Sequence, residues 1–477
     1  MEGTPILVMK YGGTSVGSAE AMLQVKDIVK EVIQEGWKPI IVLSAMAGVT
    51  DQLLQATEMA KTHRYDLVLQ TASMLTSRHY EVLHKLIENP ERQISTKQQI
   101  DQLMSGFTEY CRAIDIIGET TPRVLDTICG IGEMACVRIF AEVLNTNQIQ
   151  AQAIDATKLI VTDSVFQSAH PIFDKTRQKL KPTLAPLLNS GIVPVVTGFI
   201  AATEDGITTT IGRGGSDYTA AIIGSIMEAQ EVWIWSDVDG VMTADPRVIP
   251  DAKTIETLTF REIGELAYYG AKVVHPKTMQ PLIDANIVIK VKNTFNPKHP
   301  GTVLIADQSR IVNGDIKAVT SIREQSLITI EGRGMLGVPG VAARAFGAVA
   351  ATGTSVPLIT QASSEQSICF AVPLKSSAFV LKGLMDTFSR ELEIKDIDRI
   401  WATEEVVIIT IVGAGMRNTP GVAGRIFSKL GSNGINVIAI AQGSSEVSIS
   451  LVIARQDEEK AVRAIHELIV PNGKPLI

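Results

Sequence analysis

The C-terminal third of this 477-residue chain repeats itself, and a duplication of that kind leaves few folds open. From residue 328 to 372, 21 of 45 positions are identical to the residue 81 places further on, without a gap. Gly332-Arg-Gly-Met-Leu-Gly-Val-Pro-Gly-Val341 matches Gly413-Ala-Gly-Met-Arg-Asn-Thr-Pro-Gly-Val422, and Ile359-Thr-Gln-Ala-Ser-Ser-Glu365 matches Ile440-Ala-Gln-Gly-Ser-Ser-Glu446. The first copy reads strand over Leu327–Ile330, a Gly/Pro turn, helix over Val341–Ala351, then strands over Val356–Thr360 and Ser367–Val372. That order predicts a small sheet with helices on one face. Two copies are too few for a solenoid, so two paired modules are expected. The Gly413-Ala-Gly-Met run is no dinucleotide fingerprint, because it lies inside the repeat and its mate at Gly332 shares the pattern.

The rest of the chain alternates strands and helices. Pro5–Lys10, Pro39–Ser44, Ile192–Thr197, Glu231–Ser236 and Val288–Val291 are short apolar runs of strand length. Ala19–Glu35 has helical periodicity, residues 51–145 are mostly helical in pattern, and a helix is expected from Ser216 to about Ala229. Alternation of this kind predicts a parallel, helix-covered sheet. Asn293–Gly301, with two prolines, two asparagines and a glycine, reads as a domain boundary. A net charge of −7 with only 5% aromatic residues argues against a nucleic-acid or anionic-membrane partner. No apolar run approaches the ~20 residues of a membrane span, and the N-terminus does not read as a signal peptide. Four cysteines without metal-ligand spacing fit a reducing cytoplasm.

Two glycine-rich turns carry the chemistry. Lys10-Tyr-Gly-Gly-Thr-Ser15 is expected to end the first strand and open a helix, and Gly212-Arg-Gly-Gly-Ser-Asp217 to lead into the Ser216 helix. Glycines let backbone N–H groups approach an anion closely, and a helix N-terminus favours negative charge. Lys10 adds a point charge and Arg213 a guanidinium able to grip a carboxylate bidentately. The lysine precedes the glycines, so this is not the Walker pattern. The carboxylate-rich segment Trp235–Arg247 follows a buried strand, the place where open α/β sheets bind ligands.

Together these motifs resemble aspartokinase. The matching segments are Lys10–Val16, Val42–Thr50, Gly132-Glu133, Gly212–Asp217, Ser236–Arg247 and Glu265–Pro276, and the repeat is similar to the family's pair of ACT modules. The resemblance implies an α/β fold: a parallel-sheet αβα sandwich kinase domain (the amino-acid-kinase fold) over residues 1–300, a connecting segment 301–324, and two α+β ACT modules over 325–400 and 401–477. It implies transfer of the γ-phosphoryl group of ATP, with Mg2+, to the β-carboxylate of L-aspartate, the entry step to lysine, threonine and methionine. By the same resemblance Lys10 contacts the transferring phosphoryl group, and Gly12, Gly13, Thr14 and Ser15 line the phosphates. Asp217 orients the cationic groups there. Arg213 pairs with the substrate α-carboxylate and Glu133 with its ammonium, while Ser44, Thr50 and the backbone of Gly214, Gly215 and Ser216 complete the pocket. Ser236, Asp237, Met242, Arg247, Lys272 and Val273 hold the nucleotide, with Met242 standing where the family usually has Tyr. The metal ligands are not assigned. The repeat's wording resembles the regulatory part of threonine-sensitive bifunctional aspartokinase–homoserine dehydrogenases. Gln361 and Gln442, at one repeat position, are therefore candidate effector contacts for threonine, with lysine second. A cytoplasmic homodimer or larger homo-oligomer is expected. Two alternatives stay open: another small acid as substrate, and a non-catalytic amino-acid sensor.

Overall fold

The computed structural model describes residues 4–268, 276–306, 316–362, 364–443 and 447–469, and the counts below are of these described residues. They fall into two compact units. The first comprises the described residues up to Val241, Glu256–Phe260, and those from Pro276 to Ala306; the second comprises Met242–Ile255, Arg261–Tyr268 and those beyond Ala306.

The N-terminal stretch supplies β1 (Ile6–Tyr11), β2 (Lys38–Leu43), β3 (Ala151–Ile154), β4 (Val161–Thr162), β5 (Val193–Thr197), β6 (Ile200–Thr203), β7 (Thr208–Thr210), β8 (Glu231–Ser236), β9 (Thr257–Thr259), β10 (Val288–Asn293) and β11 (Thr302–Ile305). Its helices are α1 (Ala19–Gln34), α2 (Val49–Lys61), α3 (Tyr65–Leu86), α4 (Pro90–Ile117), α5 (Pro122–Cys129), α6 (Ile131–Thr146), α7 (Phe173–Asn189), α8 (Gly215–Ile226), α9 (Phe260–Tyr268) and α10 (Pro276–Asp284).

In the first unit eight strands form one sheet in the order β3-β5-β2-β1-β8-β10-β11-β9, parallel except for the β10–β11 pair. Its central strands are buried on both faces, which is why β2 reads Pro-Ile-Ile-Val-Leu rather than alternating. β4, β6 and β7 make a separate small sheet. The helix starts follow local chemistry. Ser18 caps α1 by accepting from the Ala21 N–H, and Asn89 and Thr121 cap α4 and α5, each followed by proline at the first helical position. The sheet does not stop at the sequence-predicted boundary: β11 begins at Thr302, after Gly301, because its backbone pairs with both β10 and β9. Among the described residues no helix is long and apolar enough to cross a membrane.

The second unit carries the repeat, in β12 (Ala318–Glu331), α11 (Val341–Ala351), β13 (Leu358–Gln361), β14 (Ser367–Pro373), α12 (Ser377–Thr387), α13 (Ser389–Glu393), β15 (Arg399–Val412), α14 (Val422–Ser432), β16 (Ala439–Ala441), β17 (Ser448–Ala454) and α15 (Glu458–Ile469). The two modules share one antiparallel sheet, ordered β13-β14-β12-β15-β17-β16. β12 and β15 each serve both modules. Leu327–Glu331 pairs with Arg399–Thr403, and Ala318–Ile322 pairs with Ile408–Val412. Residues 318–322, read from the sequence as connecting chain, are thus a strand beside the second copy. The register breaks between Ile322 and Leu327, and Glu324 and Glu405, 81 residues apart, both take left-handed φ (55° and 57°) at the crossover. Segment Met242–Ile255 lies in this unit. Ala244, Val248 and Ile249 share a core with Val407, Ile426 and Ile465, and the buried Thr243 Oγ1 lies 2.9 Å from His466 Nε2.

Candidate active site

The first unit gathers its polar loops at the carboxyl ends of β1, β2, β5 and β8. The chain moves from β1 to β2 on one side and returns with β8 on the other, a topological switch point. Lys10 stands one residue before the end of β1, and its Nζ lies 2.7 Å from Asp217 Oδ1 in the first turn of α8. Both side chains are only 13% exposed, so this ion pair is shielded far more than a surface pair.

Missing side chains allow the loops to interlock. A Cβ on Gly13 would sit 2.8 Å from the Ala45 carbonyl oxygen, and the Ala47 N–H donates to the Gly13 carbonyl at 3.0 Å. A Cβ on Gly132 would meet the Ala45 Cβ at 2.7 Å, and one on Gly198 would meet the Ser216 Cα at 2.9 Å. The Ser44 hydroxyl donates to Ser216 Oγ at 2.9 Å. Four loops thereby meet: 12–17 after β1 and 44–50 after β2 pack backbone to backbone, 130–133 opening α6 packs on the Ala45 side chain, and 212–217 opening α8 meets 44–50 through the two serine hydroxyls. Gly212 and Gly214 hold φ of 78° and 73°, a conformation that favours glycine. Arg213, between them, projects as an exposed side chain.

Glu133, in the first turn of α6, is 4% exposed. Burial pushes its carboxyl up to about 7, against hydrogen bonds from the backbone at Ala45 and at Glu133 itself that pull it down. Its Oε2 is buried without a hydrogen-bond partner. A buried carboxylate oxygen without a partner can receive a small cation that supplies the missing hydrogen bond.

The structure does not bring all the sequence-derived residues to one place. Lys10, Gly12, Gly13, Thr14, Ser44, Thr50, Glu133, Arg213, Gly214, Gly215, Ser216 and Asp217 lie on the four interlocked loops or their strand ends, and Ser236 and Asp237 end β8 of the same unit. Ser15 is on the first loop, yet its side chain is wholly buried and its Oγ lies 2.7 Å from Thr294 Oγ1. The glycine turn does not itself open α1, which starts at Ala19 behind its own Ser18 cap. Met242 and Arg247 belong to the second unit, where Met242 Sδ accepts from the Thr254 hydroxyl and Arg247 is held by Asp245 at 2.7 Å. Lys272 and Val273 lie outside the described residues. Gln361 lines a cavity of about 340 Å3 with Val338–Ala342, Glu365 and Ile368, whereas Gln442 is exposed just past β16.

Sequence reading missed two neighbours. Phe199 takes a left-handed φ of 70°, rare for a bulky residue, and its ring fills the space a Gly215 Cβ would need. Its signal was a Gly-Phe pair directly after an apolar strand. Arg78, on α3, donates to the Ala47 carbonyl at 2.8 Å and the Gly17 carbonyl at 3.4 Å, tying two of the loops together. Nothing in the helical pattern of residues 51–145 marks it.

The sequence pattern of the amino acid kinase family matches residues 5–293, and that of the ACT domain matches 328–388 and 409–468. Aspartokinase 2, chloroplastic, of Arabidopsis thaliana is 34% identical over 470 residues, which is 96% of this chain and 83% of that protein. The chain belongs to the aspartokinase family. It is also 35% identical over 464 residues to the bifunctional aspartokinase/homoserine dehydrogenase 2, chloroplastic, of the same plant, covering 96% of this chain and 50% of that one. The chain thus spans about half the length of the bifunctional aspartokinases it matches. E. coli aspartokinase III, in complex with aspartate and ADP and separately with lysine and aspartate, superimposes with a TM-score of 0.79 at 29% identity. That overlap covers 97% of this chain and 99% of the ADP complex.

Proposed function

We propose that this chain phosphorylates the β-carboxylate of L-aspartate with ATP, giving 4-phospho-L-aspartate. The observation that carries the reading is Glu133: a buried carboxylate with one unpartnered oxygen, set among the loops that also bear Lys10, Ser44 and Arg213. Such an oxygen suits a free ammonium and disfavours an acylated nitrogen, so aspartate fits better than an N-acetyl acid. Arg213 takes the α-carboxylate, and Ser44, Thr50 and the Gly214–Ser216 backbone complete the pocket. The β-carboxylate has a reference pKa of about 3.9, so it attacks as an anion and needs no base. The chain's task is to bring two anions together and stabilise spread negative charge. Lys10 carries that positive charge, and Asp217 fixes where its ammonium points. Gly12, Gly13 and Thr14 offer backbone N–H groups to phosphate oxygens, and Ser15, through Thr294, holds their turn.

Ser236 and Asp237, with Met242, Arg247, Lys272 and Val273, are assigned to the nucleotide. The described residues gather no cluster of three or more His, Cys, Asp or Glu for a metal. Mg2+ would arrive on the nucleotide phosphates, and no residue of this chain is assigned to it. The E. coli enzyme's complexes with aspartate, ADP and lysine support the substrate, the nucleotide and an amino-acid effector. We place that effector at the repeat, through Gln361 and Gln442, with threonine first and lysine second, in a chain paired with a second copy through its ACT modules. Met242 and Arg247 sit in the same unit as the modules, and Ala244, Val248 and Ile249 of their segment share a core with the second module.

The test is ADP release from MgATP by the purified chain. Release is expected with aspartate and not with glutamate or N-acetylglutamate, and millimolar threonine is expected to suppress it. Release driven by another acid overturns the substrate. Activity unchanged by both threonine and lysine overturns the effector.

A further inference from the structure

We infer that Asp126 is the positioning residue that sets the spacing between Glu133 and Arg213, and with it the preference for aspartate over a longer acidic amino acid; this rests on the roles just proposed for those two residues. Asp126 lies on α5 and is 1% exposed. Its carboxylate is held by three neutral donors. The Gln167 and Thr210 backbone N–H groups donate to Oδ2 at 2.9 and 3.0 Å, and the Thr210 hydroxyl donates to Oδ1 at 2.8 Å. A buried carboxylate is costly to desolvate, and a fully hydrogen-bonded one is fixed in place.

What it fixes is the relative placement of two chain segments. On its own side the chain runs from Asp126 to the end of α5 at Cys129, and Gly130 both ends α5 and starts α6, whose first turn holds Glu133. There is no slack at that joint, since a Cβ on Gly130 would lie 2.7 Å from Ile200 Cγ2. On the other side Thr210 is the last residue of β7, three positions before Arg213. Thr210 is held from its other edge as well, its carbonyl accepting from the Ala169 N–H at 3.0 Å, and the next residue's N–H donates to the Phe199 carbonyl at 3.1 Å. One carboxylate therefore ties the start of the Glu133 helix to the strand that launches Arg213. Those are the proposed ammonium and α-carboxylate receptors, whose separation decides where the substrate's remaining carboxylate falls. Asp126 itself is buried, with both carboxylate oxygens already hydrogen-bonded within the protein.

The geometry separates two substitutions. Asparagine at 126 can accept both N–H groups on its one oxygen and donate to the Thr210 hydroxyl, which can accept; alanine keeps none of the three bonds. Steady-state kinetics of the full chain are compared for the parent, Asp126→Ala, Asp126→Asn and Thr210→Val, with aspartate and glutamate as acceptors. Asp126→Ala is expected to raise KM for aspartate about tenfold or more and leave KM for ATP within about twofold. It is expected to lower the ratio of kcat/KM for aspartate over glutamate about tenfold. Asp126→Asn is expected to stay within about threefold of the parent in all of these. Thr210→Val removes only the hydroxyl donor and should lower the aspartate/glutamate ratio about threefold, so the test stands even where Asp126→Ala does not fold. An unchanged ratio in the variants that fold, or KM values for aspartate and ATP that rise together, overturns the inference while leaving an active parent as an aspartate kinase. A parent without aspartate-dependent ADP release overturns the functional reading and this inference with it.

Discussion

Lys10→Met is expected to lower kcat by about 10^3-fold or more, with KM for aspartate changed less than about threefold. The expectation follows from where the charge sits. Lys10 is at the carboxyl end of a central strand, its ammonium is fixed by Asp217 at 2.7 Å, and both side chains are 13% exposed. A charge held this way needs no reorganisation when negative charge spreads over the transferring group, and low local polarity makes it count for more. Methionine keeps the apolar stem, so the loss reads the ammonium rather than the packing. Steady-state rates at saturating ATP and aspartate check it, with thermal unfolding to confirm that the variant is folded. Turnover close to the parent's would remove Lys10 from the phosphoryl site.

Glu133→Gln is expected to raise KM for aspartate about 10^2-fold and leave KM for ATP within about twofold, because it removes the buried charge proposed to receive the substrate's ammonium. The same residue gives a pH signature. Its carboxyl titrates near 7 in the folded chain, so below that pH the ammonium meets a protonated acid, and kcat/KM for aspartate should fall about tenfold per pH unit. The variant should lose that dependence. Stability runs the opposite way. The folded pKa is raised, so the stabilising contribution of protonated Glu133 is full below about 4.5 and is lost as pH rises through 7. Glutamine carries no such penalty. Chemical denaturation of the ligand-free chains should show the variant gaining on the parent by on the order of 2–3 kcal/mol between pH 5 and pH 8. Parallel stability profiles for the two chains would contradict a buried, ionising Glu133.

The parts of the fold that local pattern decides were readable. β8 spans the predicted Glu231–Ser236 and α11 the predicted Val341–Ala351, because a continuous apolar run and a helical stripe between glycines are written in adjacent residues. What distant partners decide was not readable. Residues 318–322 share no identical residue with their repeat mates 399–403, so the repeat does not announce them, and they become a strand by pairing with Ile408–Val412 some 90 residues on. β9 and β11 are short pieces whose strand character comes from distant pairing, β9 with β11 and β11 also with β10. The site divides the same way. Lys10, Glu133 and Arg213 sit beside or within glycine-marked turns that show in sequence. Asp126, Arg78 and Thr294 act through backbone groups and hydroxyls of segments far along the chain, at helix and loop positions that carry no distinguishing pattern. Ser15 shows the converse: it belongs to the motif, but folding spends its hydroxyl on Thr294.

The central claim is that an acyl phosphate forms on the aspartate side chain, and hydroxylamine traps acyl phosphates directly. The purified chain is mixed with MgATP, hydroxylamine and one acid at a time, and the hydroxamate is identified by mass. The account predicts aspartyl β-hydroxamate from aspartate and none from glutamate or N-acetylglutamate. A folded chain that binds ATP and yields no hydroxamate, or yields one from a different acid, contradicts it.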